Sequence, residues 1–150
     1  MLETKSPNTL LPAAQSMLQV CIENCTRCHD TCLETLNYSL RRGGRFSESV
    51  HLRLLLDCAE ICQTSTNFMR RGSDLHRVIC EACAKVCENC ATDCERYAVP
   101  GEGSGAPMSQ HSGPSHVSQA NVDEQMKYCA EICRACAQAC REMTNMPPDA

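Results

Sequence analysis

Small apolar side chains recur along this chain at steps of four, three and four residues. Cys21, Cys25, Cys28 and Cys32 have this spacing. Cys83, Cys87, Cys90 and Cys94 repeat it, with Cys80 one step ahead, and Cys129, Cys133, Cys136 and Cys140 repeat it again. Residues three and four apart share one face of an α-helix, so each run predicts a single helical stripe. A strand would need steps of two, which none of the runs has. A thinner copy lies between the first two. Cys58-Ala59-Glu60-Ile61-Cys62 matches Cys129-Ala130-Glu131-Ile132-Cys133, but its next two stripe positions hold Ser65 and Met69. Four copies of one helical unit argue for internal duplication and an all-α fold.

Punctuation along the chain sets the expected boundaries. A first helix is expected over about 12–42, from Pro12 to the Gly43-Gly44 pair. A second follows over 47–71, with Ser47 as N-cap and Gly72 beyond its end. The third covers 74–98, capped by Ser73 or Asp74 and stopped before Pro100. The fourth covers 121–145, opened by an Asn121–Glu124 capping box and closed by Pro147-Pro148. Two connections are very short, so the expected architecture is an antiparallel four-helix bundle in one domain. The third connection, residues 98–119, holds four Gly, three Pro and five Ser, and reads as a long loop.

Charge and composition then remove several classes. Eighteen acidic against fourteen basic residues leave −4, and five aromatic side chains offer little to stack on, so no nucleic-acid partner is expected. The Arg41-Arg42 and Arg70-Arg71 pairs fall near helix C-termini, an ordinary place for cations. Long uncharged stretches are interrupted by Ser, Gln, Gly or Pro, so no membrane span is expected. The start, Met1-Leu2-Glu3-Thr4-Lys5, precedes only the broken apolar run Leu10-Leu11-Pro12-Ala13-Ala14. An export signal needs about 7–15 apolar residues, so a reducing cytoplasm is the expected compartment. Fifteen is also an odd number of thiols. No nucleophile–base pair or phosphate loop stands out, and no enzymatic role is expected.

The seam of a helical bundle normally carries Leu, Ile or Val. Here it carries cysteine, which supplies less apolar area per residue, while Ile22, Ile61, Ile79, Val86 and Ile132 only widen its edge. Metal is the natural filling. Zinc favours closed tetrahedral knots with C-x2-C on turns, whereas these pairs lie mid-helix in lines. Iron–sulfur motifs need loop chemistry and a proline that are missing. Cu(I) is soft, prefers thiolate and accepts two or three sulfurs, which one helix and its neighbour can supply. If each thiolate bridges two metals, fifteen sulfurs neutralise about fifteen Cu(I). That is a storage stoichiometry. Two alternatives remain beside it: a thiol redox buffer or oxidoreductase, and a general sink for Zn, Cd or Ag. Mid-helix C-x2-C pairs lack the helix N-terminus that activates thioredoxin-type thiols.

The three C-x3-C-x2-C-x3-C helices, the thinner fourth and the histidine-bearing loop resemble the cytosolic branch of the bacterial copper-storage proteins. The resemblance spans residues 12–146. It implies a four-helix bundle whose lumen binds many Cu(I) ions on the fifteen cysteines, usually as a tetramer. It also implies a role in copper tolerance or supply. A copper chaperone or a low-molecular-weight thiol is the expected donor or acceptor. With no thiols at Ser65 and Met69, the second helix falls short of a full set.

Up-down-up-down topology brings the end of the first helix, the start of the second, the end of the third and the start of the fourth together. His51 lies seven residues before Cys58, and Met126 seven before Cys133, so both fall on the cysteine face. Met108, His111 and His116 lie in the loop above them. These five are the candidate copper entrance, because imidazole and thioether hold Cu(I) less tightly than thiolate. Met17, Met69, His76, Met143 and Met146 gather at the other end and read as flexible filler. Lys85, Glu88, Asp93 and Glu131, between the cysteines, read as a solvated face, and His29 sits one residue off the stripe.

Overall fold

The computed structural model describes residues 12–101 and 121–146. Within them lie α1 (Pro12–Arg42), α2 (Ser49–Arg70), α3 (His76–Ala98) and α4 (Glu124–Asn145). A single 3-10 turn, Gly44–Ser47, joins α1 to α2. No strand occurs among the described residues. α1 packs on α2 and α4, and α3 packs on the same two. The helices therefore stand in a square in chain order, each antiparallel to its neighbours, around a core made largely of cysteine.

Each helix stops for a local reason. At the end of α1, Gly43 and Gly44 both take positive φ (69° and 59°), which side chains with a Cβ rarely adopt. Their reversal leaves Gly43 N–H donating to Ser39 O at 3.1 Å. α2 ends in a Schellman motif at Gly72, φ 64°. Gly72 N–H donates to Met69 O and Ser73 N–H to Phe68 O, closing two carbonyls the helix leaves open.

Three N-caps differ from expectation. Glu48, not Ser47, precedes α2, while the Ser47 hydroxyl donates to Gly44 O at 2.9 Å inside the 3-10 turn. Leu75 is the residue before α3, and Ser73 Oγ accepts from Leu75 N–H instead of from the helix. α4 is capped by Asp123, whose carboxylate accepts from Met126 N–H at 3.0 Å. Asp123 is also pinned by its own N–H to Ala98 O (2.8 Å) and by the Tyr38 hydroxyl (2.5 Å). Tertiary contacts thus select the cap among Asn121 and Asp123, which sequence chemistry alone ranks equally.

One end of the bundle carries a polar–aromatic cluster. The Arg45 guanidinium donates to the α3 terminal carbonyls of Tyr97 (3.0 Å) and Val99 (2.7 Å) and lies over the Phe46 and Tyr97 rings. Tyr97 in turn donates to Glu48. On the outside, Arg134–Glu95 and Arg141–Glu88 pairs tie α3 to α4. No helix among the described residues is long and apolar enough to cross a membrane.

Candidate metal centre

All fifteen cysteines are free thiols with no exposed surface. The 4-3-4 stepping puts four of them on α1, two on α2, five on α3 and four on α4, and the bundle turns every stripe inward. Between Cys21 and Cys32 the α1 stripe rises about 16 Å, at about 1.5 Å per residue. The sulfurs interleave across that length. Cys28 lies 3.6 Å from Cys58 and 3.7 Å from Cys133, Cys62 lies 3.6 Å from Cys87, and Cys25 lies 3.6 Å from Cys136.

Four groups have all their sulfurs within 4.8 Å of one another. They are Cys28–Cys32–Cys58–Cys133, Cys28–Cys62–Cys87–Cys136, Cys25–Cys83–Cys136–Cys140 and Cys21–Cys80–Cys140. Cys28, Cys136 and Cys140 each belong to two groups, so the groups form one column of shared sulfurs. Cys90, Cys94 and Cys129, also fully buried, continue the stripes towards the polar end. A metal–thiolate bond of about 2.3 Å, the zinc value, puts three sulfurs around one metal about 4 Å apart. The observed separations need open by only a few tenths of an ångström.

The column titrates as a network. Thiol neighbours led by Cys133 draw Cys58 below the ordinary thiol range, and neighbours led by Cys136 do the same for Cys83. Cys90 is pushed up to about 11, first by its hydrogen bond to Cys129 and last by burial. Cys94, against Cys129 and Cys90, and Cys140, against Cys136 and Cys21, are pushed well above the usual range. A few thiolates are stabilised by thiol donors around them. Adding further charge to a buried cluster is unfavourable. A monovalent soft cation removes that obstacle by replacing protons.

The stripe continues past the sulfurs at the polar end. Thr35 and Ser39 extend the α1 stripe, Leu55 and His51 the α2 stripe, Tyr97 the α3 stripe and Met126 the α4 stripe, and all are buried. His51 is fully enclosed and stacks on Tyr97 with ring centroids 4.1 Å apart. Its Nδ1 lies 2.6 Å from the Asp93 carboxylate and its Nε2 3.1 Å from Ser39 Oγ. A carboxylate accepts, so Nδ1–H donates to Asp93, while Nε2 pairs with the Ser39 hydroxyl. Imidazoles that ligate metals are commonly oriented by a carboxylate in this way.

Asp93 is therefore a correction to the sequence reading, which put it on the solvated face. It is 6 % exposed and faces His51. Its position three residues after Cys90, at the edge of the stripe, was the available signal, along with the 4-3 stepping that runs on to Thr35 and Ser39. Glu88, by contrast, is at the surface with Arg141. His29 pairs with its neighbour Asp30 at 2.9 Å. At the opposite end Met69 and Met143 are buried, while Met17 and Met146 pack partly against the core. Met108, His111 and His116 lie outside the described residues.

A square of four antiparallel helices with a continuous thiol column along its axis defines a class: helical-bundle proteins that sequester soft metal ions in bulk. Residues 14–112, about two thirds of the chain, match the copper storage protein family, and the chain belongs to that family. Solved structures agree. The Nmul_A1745 protein of Nitrosospira multiformis is 38% identical, with TM-score 0.66, over 87% of this chain and 96% of that one. Cu(I)-bound copper storage protein BsCsp3, of Bacillus subtilis, is 26% identical, with TM-score 0.65, over 85% and 98%. The Streptomyces lividans copper storage protein Ccsp, loaded with 10 copper equivalents, is 26% identical, with TM-score 0.66, over 93% and 92%.

Proposed function

We infer that this protein stores Cu(I) in the cytosol, holding many ions at once on the thiolates of its cysteine column. The observation that carries this reading is the sharing of sulfurs between neighbouring groups, because a chain of bridging thiolates suits a multinuclear cluster better than separate sites. All fifteen cysteines are proposed as ligands. Each thiol that takes up Cu(I) releases one proton, and the filled column is close to neutral. This is a binding role, for copper tolerance or supply. Copper is exchanged with a chaperone or a low-molecular-weight thiol.

The entrance is proposed at the polar end. Met126 and His51 are the innermost soft or borderline donors before the first sulfurs, and Met108, His111 and His116, outside the described residues, are proposed with them as entry residues. The proposed assembly is a homotetramer, supported by the family resemblance and by exposed Val20, Leu33, Leu40 and Leu56 on α1 and α2. Light scattering tests it directly.

The storage reading is tested by anaerobic titration of the fully reduced protein with Cu(I) against a chromophoric Cu(I) chelator, with thiols counted in parallel. About one Cu(I) or more withheld per cysteine is expected from two-coordinate bridging. Saturation at four ions or fewer would overturn it, and competition with zinc would then separate a zinc site from a thiol core.

A further inference from the structure

Ser65 occupies a stripe position on α2 where the repeat elsewhere has cysteine. Its side chain is fully buried, and Oγ has no hydrogen-bond partner. A helical serine usually satisfies itself on the carbonyl four residues back, and an unpaired buried hydroxyl is destabilising. Alanine would fill the position at lower cost, so the hydroxyl calls for a partner.

Register identifies the surroundings. On the α2–α3 side, Cys58 lies beside Cys87 and Cys62 beside Cys83, so the next step along these antiparallel helices brings Ser65 level with Cys80. On the α1–α2 side, Cys28 lies beside Cys58, and continuing the same stepping brings Ser65 level with Cys21. Cys21, Cys80 and Cys140 are the terminal sulfur group, the one group with three sulfurs instead of four. Register therefore puts Ser65 at the level of this group. Beyond it, Met69 and Met143 close this end.

We propose that the Ser65 hydroxyl is the hydrogen-bond donor to the Cys21–Cys80–Cys140 thiolates when that group carries copper, so that the last layer of the column is a three-thiolate site completed by an O–H. This rests on the storage reading given above. The chemistry follows from charge. Three thiolates sharing one or two Cu(I) keep a net negative charge in a buried place. A fourth thiolate would increase it, whereas a hydroxyl donates a charge-assisted bond without adding any. In the metal-free column the Ser65 hydroxyl has no partner.

The test compares wild type, Ser65→Ala, Ser65→Cys and Thr66→Val. Thr66 carries the other partnerless buried hydroxyl but is level with Val20 and Ile79, off the sulfur stripe. Metal-free Ser65→Ala should unfold no more easily than wild type, since an unpaired polar group has been removed. In graded Cu(I) chelator competition it should release its last one or two ions about tenfold more readily, the effect of losing a hydrogen bond to a charged group. Ser65→Cys should withhold about one more Cu(I), since the added thiolate makes this layer like the others. Thr66→Val should trace the wild-type curve. Wild-type storage with a Ser65→Ala curve superimposed on it would overturn the Ser65 role alone. So would a Thr66→Val curve that moves as far as that of Ser65→Ala. Wild type saturating at four ions or fewer would overturn the storage reading, and this inference with it.

Discussion

Cys136 and Cys94 are equally buried thiols of the same column, yet their removal should not cost the same. Cys136 belongs to two sulfur groups and Cys94 to none of the four. Cys136→Ala is expected to lower Cu(I) capacity by about two ions and Cys94→Ala by about one, if the metals a thiolate bridges follow the sulfur groups it joins. Chelator competition with each purified variant measures the difference. At the mouth the prediction concerns rate. His51→Ala and Asp93→Asn should leave capacity nearly intact but slow loading by about tenfold, the scale of changes in metal-orienting shells. Rapid mixing of Cu(I) with metal-free protein reads this, and equal rates would remove both residues from the route. The sulfurs were legible in the sequence because their spacing is periodic. Asp93 was not, because a carboxylate at the edge of a stripe is ordinarily exposed, and only the neighbouring helix α2 supplies the imidazole that makes its burial favourable.

At the scale of elements, α4 shows how a helix start is decided. Asp123 accepts from Met126 N–H and from Tyr38, and its backbone is tied to the end of α3. Asp123→Ala should destabilise the metal-free protein by about 1 kcal/mol for the cap alone. The lost Tyr38 bond adds to this, and chemical denaturation gives the value. The same variant frays the helix that carries Met126, so loading should slow as well. The chain ends of α1 and α3 were readable from Gly43-Gly44 and from Val99-Pro100, because those residues restrict the backbone directly. The N-caps were less so. Ser47, Ser73 and Asn121 are each good capping residues, but the backbone reached the helix through Glu48, Leu75 and Asp123 instead.

For the whole molecule, the core is unusual in being held by small thiols whose protons matter. Folded Cys90 keeps its proton up to about 11, whereas the ordinary thiol loses it at 9.0. Between those values the folded state binds more protons than the unfolded one, so stability falls as pH rises through that window and is fully present below it. Thermal unfolding of metal-free protein across this range should show a falling midpoint. The Cu(I)-loaded protein should show a much higher midpoint, because ligand bound only to the folded state stabilises it by mass action. Its midpoint should fall instead on acidification, as protons compete for the sulfurs.

The sequence by itself determined the four helices, the inward stripe and the soft-metal chemistry. Helical periodicity is a local property, and fifteen thiols in register have few other uses. Only the tertiary structure decided which sulfurs lie together, that Asp93 faces His51, and that Ser65 is buried without a partner at the level of the last sulfur group. Those relations join residues on different helices. Their register depends on how side chains interlock across the bundle, which no spacing along one helix encodes.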